Sequence, residues 1–386
     1  EGGKPVEFVT DSREGHEYDS QGQFPFLLRH YVAFTGDETL LQEGYPAVVR
    51  ALRYGRQLRR ERMTDAYRTN PKLAAYYGIL PESNSHEGYY PAMHSYWDDF
   101  WYLRGLQDGI DLAEKLAQAD DAAWMRAELQ EARQDLYTSM RRVIERDQLH
   151  YLPGSVEKGD FDATSTAIAI MVGDEAAHLP QPYAANTFDR YYEDFVKRLI
   201  PGSAESFTPY EVRTAEVFVR LGHRQRALNM LRVFTYNSAR PLAWNHLAEV
   251  VHGRYRTPSY IGDMPHTWVG SGYISAVRAL FAYEEGDRLI LAAGIDPDWI
   301  ADGIRVHGLP TSFGAIHYDI RRTNGHIRMT IEGEAAPPDG FTARLPRKFR
   351  TYVFRLNGEI VAAADASLHV AALPATLEWR EREKHD

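Results

Sequence analysis

Helical patterns alternate along most of the chain with links of two very different lengths, and this spacing constrains the fold more than any other feature. Apolar residues recur at intervals of three and four, the period of an amphipathic helix. After an opening segment around Phe26–Phe34, helices are predicted at 38–63, 96–118, 121–146, 162–173, 183–199, 208–221, 224–236 and 266–284. Short links such as Gly36-Asp37 and Gly222-His223 contrast with long links at 64–95, 147–161 and 237–265. A ring of helical hairpins has this asymmetry, with its elaborated loops at one end, and an irregular helical array is the alternative.

The pattern changes from helical to alternating after Glu285. Alternation of apolar and polar residues predicts strands at 288–292, 315–321, 326–332, 352–356 and 360–363. The turn pairs Asn324-Gly325 and Asn357-Gly358 lie between neighbouring runs. The sequence therefore predicts a small antiparallel β-sandwich. We divide the chain into a helical domain at 1–286 and a β domain at 287–386.

Composition narrows the classes of partner. The net charge is −10 and the basic residues are scattered, so nucleic acid is not expected as a partner. No apolar run is long enough to span a bilayer, so no membrane association is predicted. The chain has no cysteine, which excludes disulfides and thiolate metal sites but suits both cytoplasm and periplasm. No phosphate loop, nucleophile elbow or zinc-protease motif occurs, and we predict neither a cofactor nor a metal.

The first long link concentrates carboxylates, imidazoles and aromatic rings. It carries Glu82, Glu87, His86 and His94, and the helix that follows opens with Trp97. Carboxylates can transfer protons and accept hydrogen bonds from hydroxyl groups, and aromatic faces can stack on sugar rings. This combination predicts a carbohydrate as the partner, bound at the loop-rich end of the helices.

Five sequence phrases resemble a bacterial branch of the six-hairpin glycosidases, the (α/α)6-barrel superfamily that includes glucoamylases, maltose phosphorylases, trehalases and bacterial α-L-rhamnosidases. The phrases are EYDSQGQ (17–23), SHEGYYPAMHSYWDDFWYLRGL (85–106), DFDATSTAIAI (160–170), FTPYEVRTAEVFVRLG (207–222) and GDMPHTWVGSGYI (262–274). The resemblance implies a mainly α protein, an (α/α)6 toroid of helical hairpins, that acts on glycosidic bonds. About ten helices are predicted where that fold has twelve, so the missing hairpin is expected before Glu1.

The resemblance also implies which links hold the catalytic carboxylates. It places the general acid in the first long link, where we favour Glu87 over Glu82. In hydrolase members the base comes from the third long link, where we favour Glu249 over Asp263. The alternative for each acid in the first link is helix capping or pairing with an arginine, and Asp263 can instead cap the last helix.

Acids and aromatics at several helix starts are predicted to bind the substrate. These residues are Asp19, His86, Trp97, Asp98, Asp162, Glu211, Trp244, His266 and Trp268. For Asp98, Asp162 and Glu211 the alternative is a helix cap or a favourable interaction with the helix dipole.

The resulting prediction is a glycoside hydrolase with a two-carboxylate, inverting mechanism. A polysaccharide lyase on a similar toroid is an alternative, since Tyr89, Tyr90, His94 and Arg104 can serve proton abstraction and carboxylate binding. A phosphorylase and a glycan-binding fragment without activity are the others.

Overall fold

The chain consists of two compact units that divide between Asp194 and Phe195. The computed structural model describes residues 16–86, 88–236, 245–254, 256–323, 326–346, 352–363 and 366–381. None of the helices in these ranges combines the length and the apolarity that a membrane crossing requires.

The first unit is built from helical hairpins. Its helices are α1 (Ser20–Thr35), α2 (Glu38–Arg60), α3 (Asp65–Thr69), α4 (Tyr96–Lys115), α5 (Ala119–Asp147), α6 (Ala163–Met171) and most of α7 (Tyr183–Arg198). The predicted turn at Gly36-Asp37 is confirmed. Gly36 adopts a left-handed φ of +71° that ends α1, and the Asp37 carboxylate accepts a hydrogen bond from Leu40 N (2.9 Å) to cap α2.

Helix α4 is buried over most of its length, with Asp111, Glu114 and Lys115 exposed near its end, and it packs against α1, α2, α5 and α6 at the centre of this unit. Helix α1 approaches it very closely, because glycines face each other at the crossing. A Cβ atom on Gly105 would lie 2.6 Å from Gly22 Cα, and one on Gly22 would lie 1.8 Å from the carbonyl oxygen of Trp101. Only residues without a side chain permit this approach.

The second unit begins with helices and a small sheet. It contains α8 (Val212–Arg220), α9 (Arg224–Tyr236), α10 (Thr267–Phe281) and the short α11 (Trp299–Asp302). Strands β1 (Ser206–Phe207), β2 (Ala248–Val251) and β3 (Tyr260–Ile261) form a three-stranded antiparallel sheet with β2 in the middle. The sequence predicted a link without strands at 237–265, so β2 and β3 were missed.

The rest of the second unit is a β domain of two sheets. The strands are β4 (Ala282–Glu285), β5 (Arg288–Leu291), β6 (Ile304–Thr311), β7 (Gly314–Thr323), β8 (His326–Gly333), β9 (Phe341–Arg344), β10 (Tyr352–Leu356), β11 (Glu359–Val361), β12 (Ser367–Val370) and β13 (Ala375–Glu381). One sheet has the order β11-β10-β13-β8-β7-β6 and the other β12-β9-β5-β4. All pairs are antiparallel except β5 with β9. Both sheets contribute to one apolar core, which includes Leu289, Tyr318, Phe341 and Trp379.

The predicted strands correspond to β5, β7, β8, β10 and β11, and five others were missed. One predicted helix was too long, because α10 ends at Phe281 and β4 begins at Ala282. The predicted turn at Asn357-Gly358 links β10 to β11, with both residues at positive φ, whereas Asn324-Gly325 lies outside the described residues. The domain division at 286/287 stays a prediction.

Candidate functional site

Four predicted substrate-binding residues from separate segments of the first unit contact one another. Trp97 Nε1 donates a hydrogen bond to Asp19 Oδ2 (2.9 Å), and the Trp97 ring lies 5.0 Å from the His86 ring. His86 Nε2 is 3.4 Å from Asp162 Oδ2. We refer to Asp19, His86, Trp97 and Asp162 as the Trp97 cluster. It joins the starts of α1, α4 and α6 to the first long link.

Asp162 caps α6 and faces His86 with the same carboxylate. Its Oδ1 accepts hydrogen bonds from Ser165 N (3.0 Å) and Thr164 Oγ1 (2.8 Å), and its Oδ2 accepts one from Ser165 Oγ (2.5 Å). Burial raises the pKa of Asp162, but His86 and the Ser165 hydrogen bonds outweigh burial and hold the pKa below its usual range. The cluster therefore contains one firmly ionised carboxylate.

Asp19 takes the N-cap position of α1 but makes no capping hydrogen bond with its side chain. Its Oδ2 instead accepts from Trp97 Nε1 and from Gln23 Nε2 (2.7 Å). Burial raises the pKa of Asp19 despite the opposing effects of Trp97 and His86. Asp19 thus orients the indole ring of Trp97.

Hydrogen bonds fix the turn on both sides of Glu87, which itself lies outside the described residues. Ser83 and Met93 exchange backbone hydrogen bonds of 2.8 and 2.9 Å, and Tyr89 N donates to Asn84 O (3.2 Å). The ring nitrogens of His86 lie 2.9 Å from Ser85 Oγ and 3.0 Å from Ser165 Oγ. The side chain preceding Glu87 is therefore held in one orientation.

Asp98 and Asp99 are buried beneath this turn. Asp98 is fully buried, and its Oδ2 accepts from Ser83 Oγ (2.5 Å). Burial and the nearby Asp19 charge raise the pKa of Asp98 well above its usual range. Asp99 Oδ1 accepts from Leu80 N (3.0 Å), and burial raises the pKa of Asp99 to about 7. Asp98 was predicted to bind substrate, whereas its side chain is fully buried and bonds to Ser83 of this turn.

Glu82, the second candidate acid, is bound to a cation. Its Oε2 lies 2.5 Å from Arg62 Nη2 and 3.4 Å from His94 Nε2. Burial raises the pKa of Glu82, but a backbone hydrogen bond and Arg62 outweigh burial and lower the pKa. His94 in turn bonds through Nδ1 to Glu157 Oε1 (2.7 Å). A carboxylate held ionised in this way is poorly suited to donate a proton.

The two candidate bases lie on one β-hairpin of the second unit. Glu249 belongs to β2 and pairs with Tyr260 of β3. The pairing continues past β3, where Leu247 N donates to Asp263 O (3.1 Å). No described residue forms a hydrogen bond or an ion pair with either side-chain carboxylate. Both therefore differ from Glu82 in having no cation beside them among those residues.

His266, rather than Asp263, caps α10. His266 Nδ1 accepts from Val269 N (3.3 Å), so its Nε2 carries the proton and bonds to Tyr210 Oη (3.0 Å). Trp268 follows in the first turn and is 37% exposed, which leaves part of its ring open to a ligand. Trp244, also predicted to bind substrate, lies outside the described residues.

Glu211 is engaged by protein groups. Arg198 Nη1 and Nη2 lie 2.8 and 2.6 Å from its two oxygens, and Thr208 N donates to it (3.0 Å). The residue is 3% exposed. Sequence patterns pointed to a sugar-binding acid here, whereas the structure places a buried ion pair.

Sequence reasoning missed Ser85 and Ser165, which bond to His86 and Asp162 of the Trp97 cluster, and Ser83, which bonds to Asp98 and to Ser85 N. Serine gives no periodic signal, and only the repetition of small polar residues around His86 hinted at a network. Among the described residues, no group of three or more histidines and acids is arranged to hold a metal ion.

No protein-family model and no curated protein matches this sequence. Among solved structures, the chain is similar to an α-L-rhamnosidase from Dictyoglumus thermophilum, with a TM-score of 0.53 and 10% identity over 95% of this chain. A GH78 family rhamnosidase of Bacillus sp. GL1 gives a TM-score of 0.48, 12% identity and 84% coverage. An α-L-rhamnosidase from Aspergillus terreus gives 0.47, 12% and 97%.

This chain spans 40%, 31% and 40% of those three structures, respectively. At 10% identity the first similarity establishes the fold alone. The prediction of helical hairpins followed by a β domain is thereby confirmed.

Proposed function

We propose that this chain, which has the fold of the six-hairpin glycosidases, is a glycoside hydrolase in which Glu87 is the general acid and Glu249 the general base. The observation that carries the proposal is the Trp97 cluster. It brings together two carboxylates, an imidazole and an indole from four segments, and the imidazole belongs to His86, which precedes Glu87 in the sequence. The side chains of His86 and Asp162 are 28% and 20% exposed and can contact a sugar, whereas Asp19 and Trp97 are buried. An ionised carboxylate such as that of Asp162 accepts hydrogen bonds from sugar hydroxyls.

The choice of Glu87 over Glu82 rests on charge. A general acid must keep its proton until the leaving oxygen takes it, so its pKa has to be raised toward the working pH. Arg62 lowers the pKa of Glu82. Glu87 follows His86, whose ring nitrogens already face Ser85 and Ser165.

The choice of Glu249 over Asp263 rests on backbone support. Glu249 lies on the middle strand of a three-stranded sheet and pairs with Tyr260 of β3, and the next residue, Val250, pairs with Phe207 of β1, so its backbone is fixed. Asp263 lies beyond β3, where its carbonyl oxygen accepts a hydrogen bond from Leu247 N (3.1 Å), and it is exposed. A base that must position a water molecule benefits from the more rigid element.

The contacts of Arg104 and His94, two residues that a lyase would use, favour hydrolysis over elimination. Arg104 Nε and Nη2 donate to the two oxygens of Asp108 at 2.7 and 2.6 Å, so this guanidinium is already paired. The ring nitrogens of His94 face Glu157 and Arg62. Neither residue is placed to bind a uronate carboxylate or to abstract its neighbouring proton.

The first substrates to test are α-L-rhamnosides, because the similar solved structure from Dictyoglumus thermophilum is named as an α-L-rhamnosidase. Dinitrophenyl glycosides and unactivated oligosaccharides of the same sugar should be compared. A dinitrophenolate leaving group departs without being protonated, whereas the leaving oxygen of an unactivated glycoside needs a proton from the general acid.

Glu87→Gln should therefore lose roughly 100-fold or more in kcat/KM on the unactivated substrate while retaining most of its rate on the dinitrophenyl glycoside. Glu82→Gln is the matched control and should retain activity on both. Equal losses of Glu87→Gln on the two substrates, or full activity on both, would remove Glu87 as the general acid.

A further inference from the structure

The six-stranded sheet presents an arginine-rich face on the side away from its core. Strand alternation turns Tyr318, Ile327, Met329, Leu377 and Trp379 inward, and all are buried. The residues between them point outward and include Arg305, Arg321, Arg328, Arg355 and Arg380. The side chains of Arg305, Arg321 and Arg328 are 64–66% exposed. We refer to these five arginines as the arginine face.

Three of these arginines share one row with a single carboxylate. Arg321 pairs in register with Arg328, Arg328 with Glu378, and Glu378 with Arg355. Arg328 Nε lies 3.2 Å from Glu378 Oε1, and this ion pair uses the only acid in the row. Like charges placed directly opposite each other destabilise a sheet. An anionic ligand would relieve that repulsion.

With Arg380 left aside, the described residues of this face include four arginines and three acids, Asp319, Glu332 and Glu378, so positive charge is in excess. Asp319 is shared by Arg305 (3.0 Å) and Arg321 (3.5 Å), and Glu332 lies opposite His317. Because the whole chain carries −10, this local excess runs against the overall charge. A polyanion would therefore be attracted to this face and repelled by the net negative charge of the rest of the chain.

A cavity of about 230 Å³ opens beside the row. It is lined by His326, Val353, Arg355, Glu378, Trp379 and Arg380. Arg355 Nη1 donates to Gly358 O (2.8 Å), and no described carboxylate forms an ion pair with Arg355. The guanidinium of Arg355 and the imidazole of His326 thus line a space suited to one anionic group of a ligand, and Glu378, which also lines it, is already paired with Arg328.

We propose that the arginine face binds an anionic polysaccharide through the carboxylates of its uronic acid residues. Guanidinium groups recognise carboxylates with two parallel hydrogen bonds. The described side chains of these rows include no Phe, Tyr or Trp on which a nucleobase would stack, which favours a polyuronate over single-stranded DNA. This inference concerns binding by the β domain and does not depend on the proposed reaction.

Affinity electrophoresis in native gels tests the proposal. The wild-type chain should be retarded by polygalacturonic acid in the gel and not by neutral galactan. The variant Arg321→Glu/Arg355→Glu should bind about tenfold more weakly, and salt near 1 M should abolish retardation by shortening the Debye length to about 3 Å.

The matched control is Arg50→Glu/Arg68→Glu, which changes the net charge equally at exposed positions of the first unit. It should bind as the wild type does, and so should Glu87→Gln. No retardation of the wild type, an equal loss in the control, or retardation by single-stranded DNA but not by polygalacturonate would overturn the proposal. Melting curves of both double variants verify that they are folded.

Discussion

Replacing Gly22 with alanine is expected to force α1 away from α4. The added Cβ would lie 1.8 Å from the Trp101 carbonyl oxygen and 2.3 Å from its carbon. Cβ contacts under 3.0 Å essentially never occur, and the obstacle is backbone that no rotamer change can move. The helices must therefore separate by roughly 1 Å in the most tightly packed part of the unit.

The expected cost follows from two opposing terms. Overpacking a core costs about 1–3 kcal/mol, and more where backbone must move. Alanine recovers at most about 1 kcal/mol through its higher helix propensity. Since backbone must move here, the upper end of the cost applies, and we expect a net loss of about 2 kcal/mol in the free energy of unfolding. The Trp97–Asp19 hydrogen bond, which crosses the same two helices, should weaken as well.

Gly44→Ala provides the matched control. A Cβ at Gly44 would lie 2.9 Å from Leu28 Cδ2, the end of a flexible side chain, so this helix should gain or lose less than about 0.5 kcal/mol. Urea unfolding followed by circular dichroism compares the two variants. Similar midpoints for Gly22→Ala and Gly44→Ala would refute the close crossing of α1 and α4.

Three further outcomes are expected. Glu211→Gln should lower the free energy of thermal unfolding by about 3 kcal/mol, because the largely buried Arg198 guanidinium then loses its Glu211 carboxylate partner. The same variant should change KM little. The pKa of Asp99 is raised to about 7, so the folded state binds the carboxyl proton of Asp99 more tightly than the unfolded state does, and the free energy of unfolding falls as the pH rises from about 4 to about 7. Asp99→Asn should reduce this pH dependence, as urea titrations at several pH values would measure. The pKa of Asp162 is lowered, so its contribution to stability is complete above about pH 4 and decreases as the pH falls further; Asp162→Asn should lower stability at pH 7 and lower it progressively less in more acidic solution, as urea titrations at several pH values would measure.

Helices were the most predictable part of the fold. α4, α5 and α7 were predicted to within three residues at each end, because their apolar periodicity extends over several turns. α1 begins at Ser20, several residues before the first predicted apolar position, since its opening turn is polar yet partly buried. Strands of two residues, such as β1 and β3, carry no readable alternation and depend on tertiary pairing.

The candidate site was predictable in composition but not in pairing. Acids and aromatics at helix starts, together with the family resemblance, indicated Asp19, Trp97 and Asp162, which the structure brings together with His86. The ion pair between Glu82 and Arg62 joins residues 20 positions apart through the tertiary fold. Local sequence patterns do not encode which arginine pairs with a given carboxylate. The presence of such an arginine decides whether the carboxyl group keeps its proton and can act as a general acid.

The configuration of the first sugar released tests the central claim most directly. Proton NMR of the anomeric signal during the first minutes of hydrolysis should show the inverted anomer for the wild type, and Glu249→Ala should release almost none, because water is then not activated. The retained anomer as first product, or hydrolysis by Glu249→Ala at the wild-type rate, would contradict the assignment of Glu249 as the base of an inverting glycosidase.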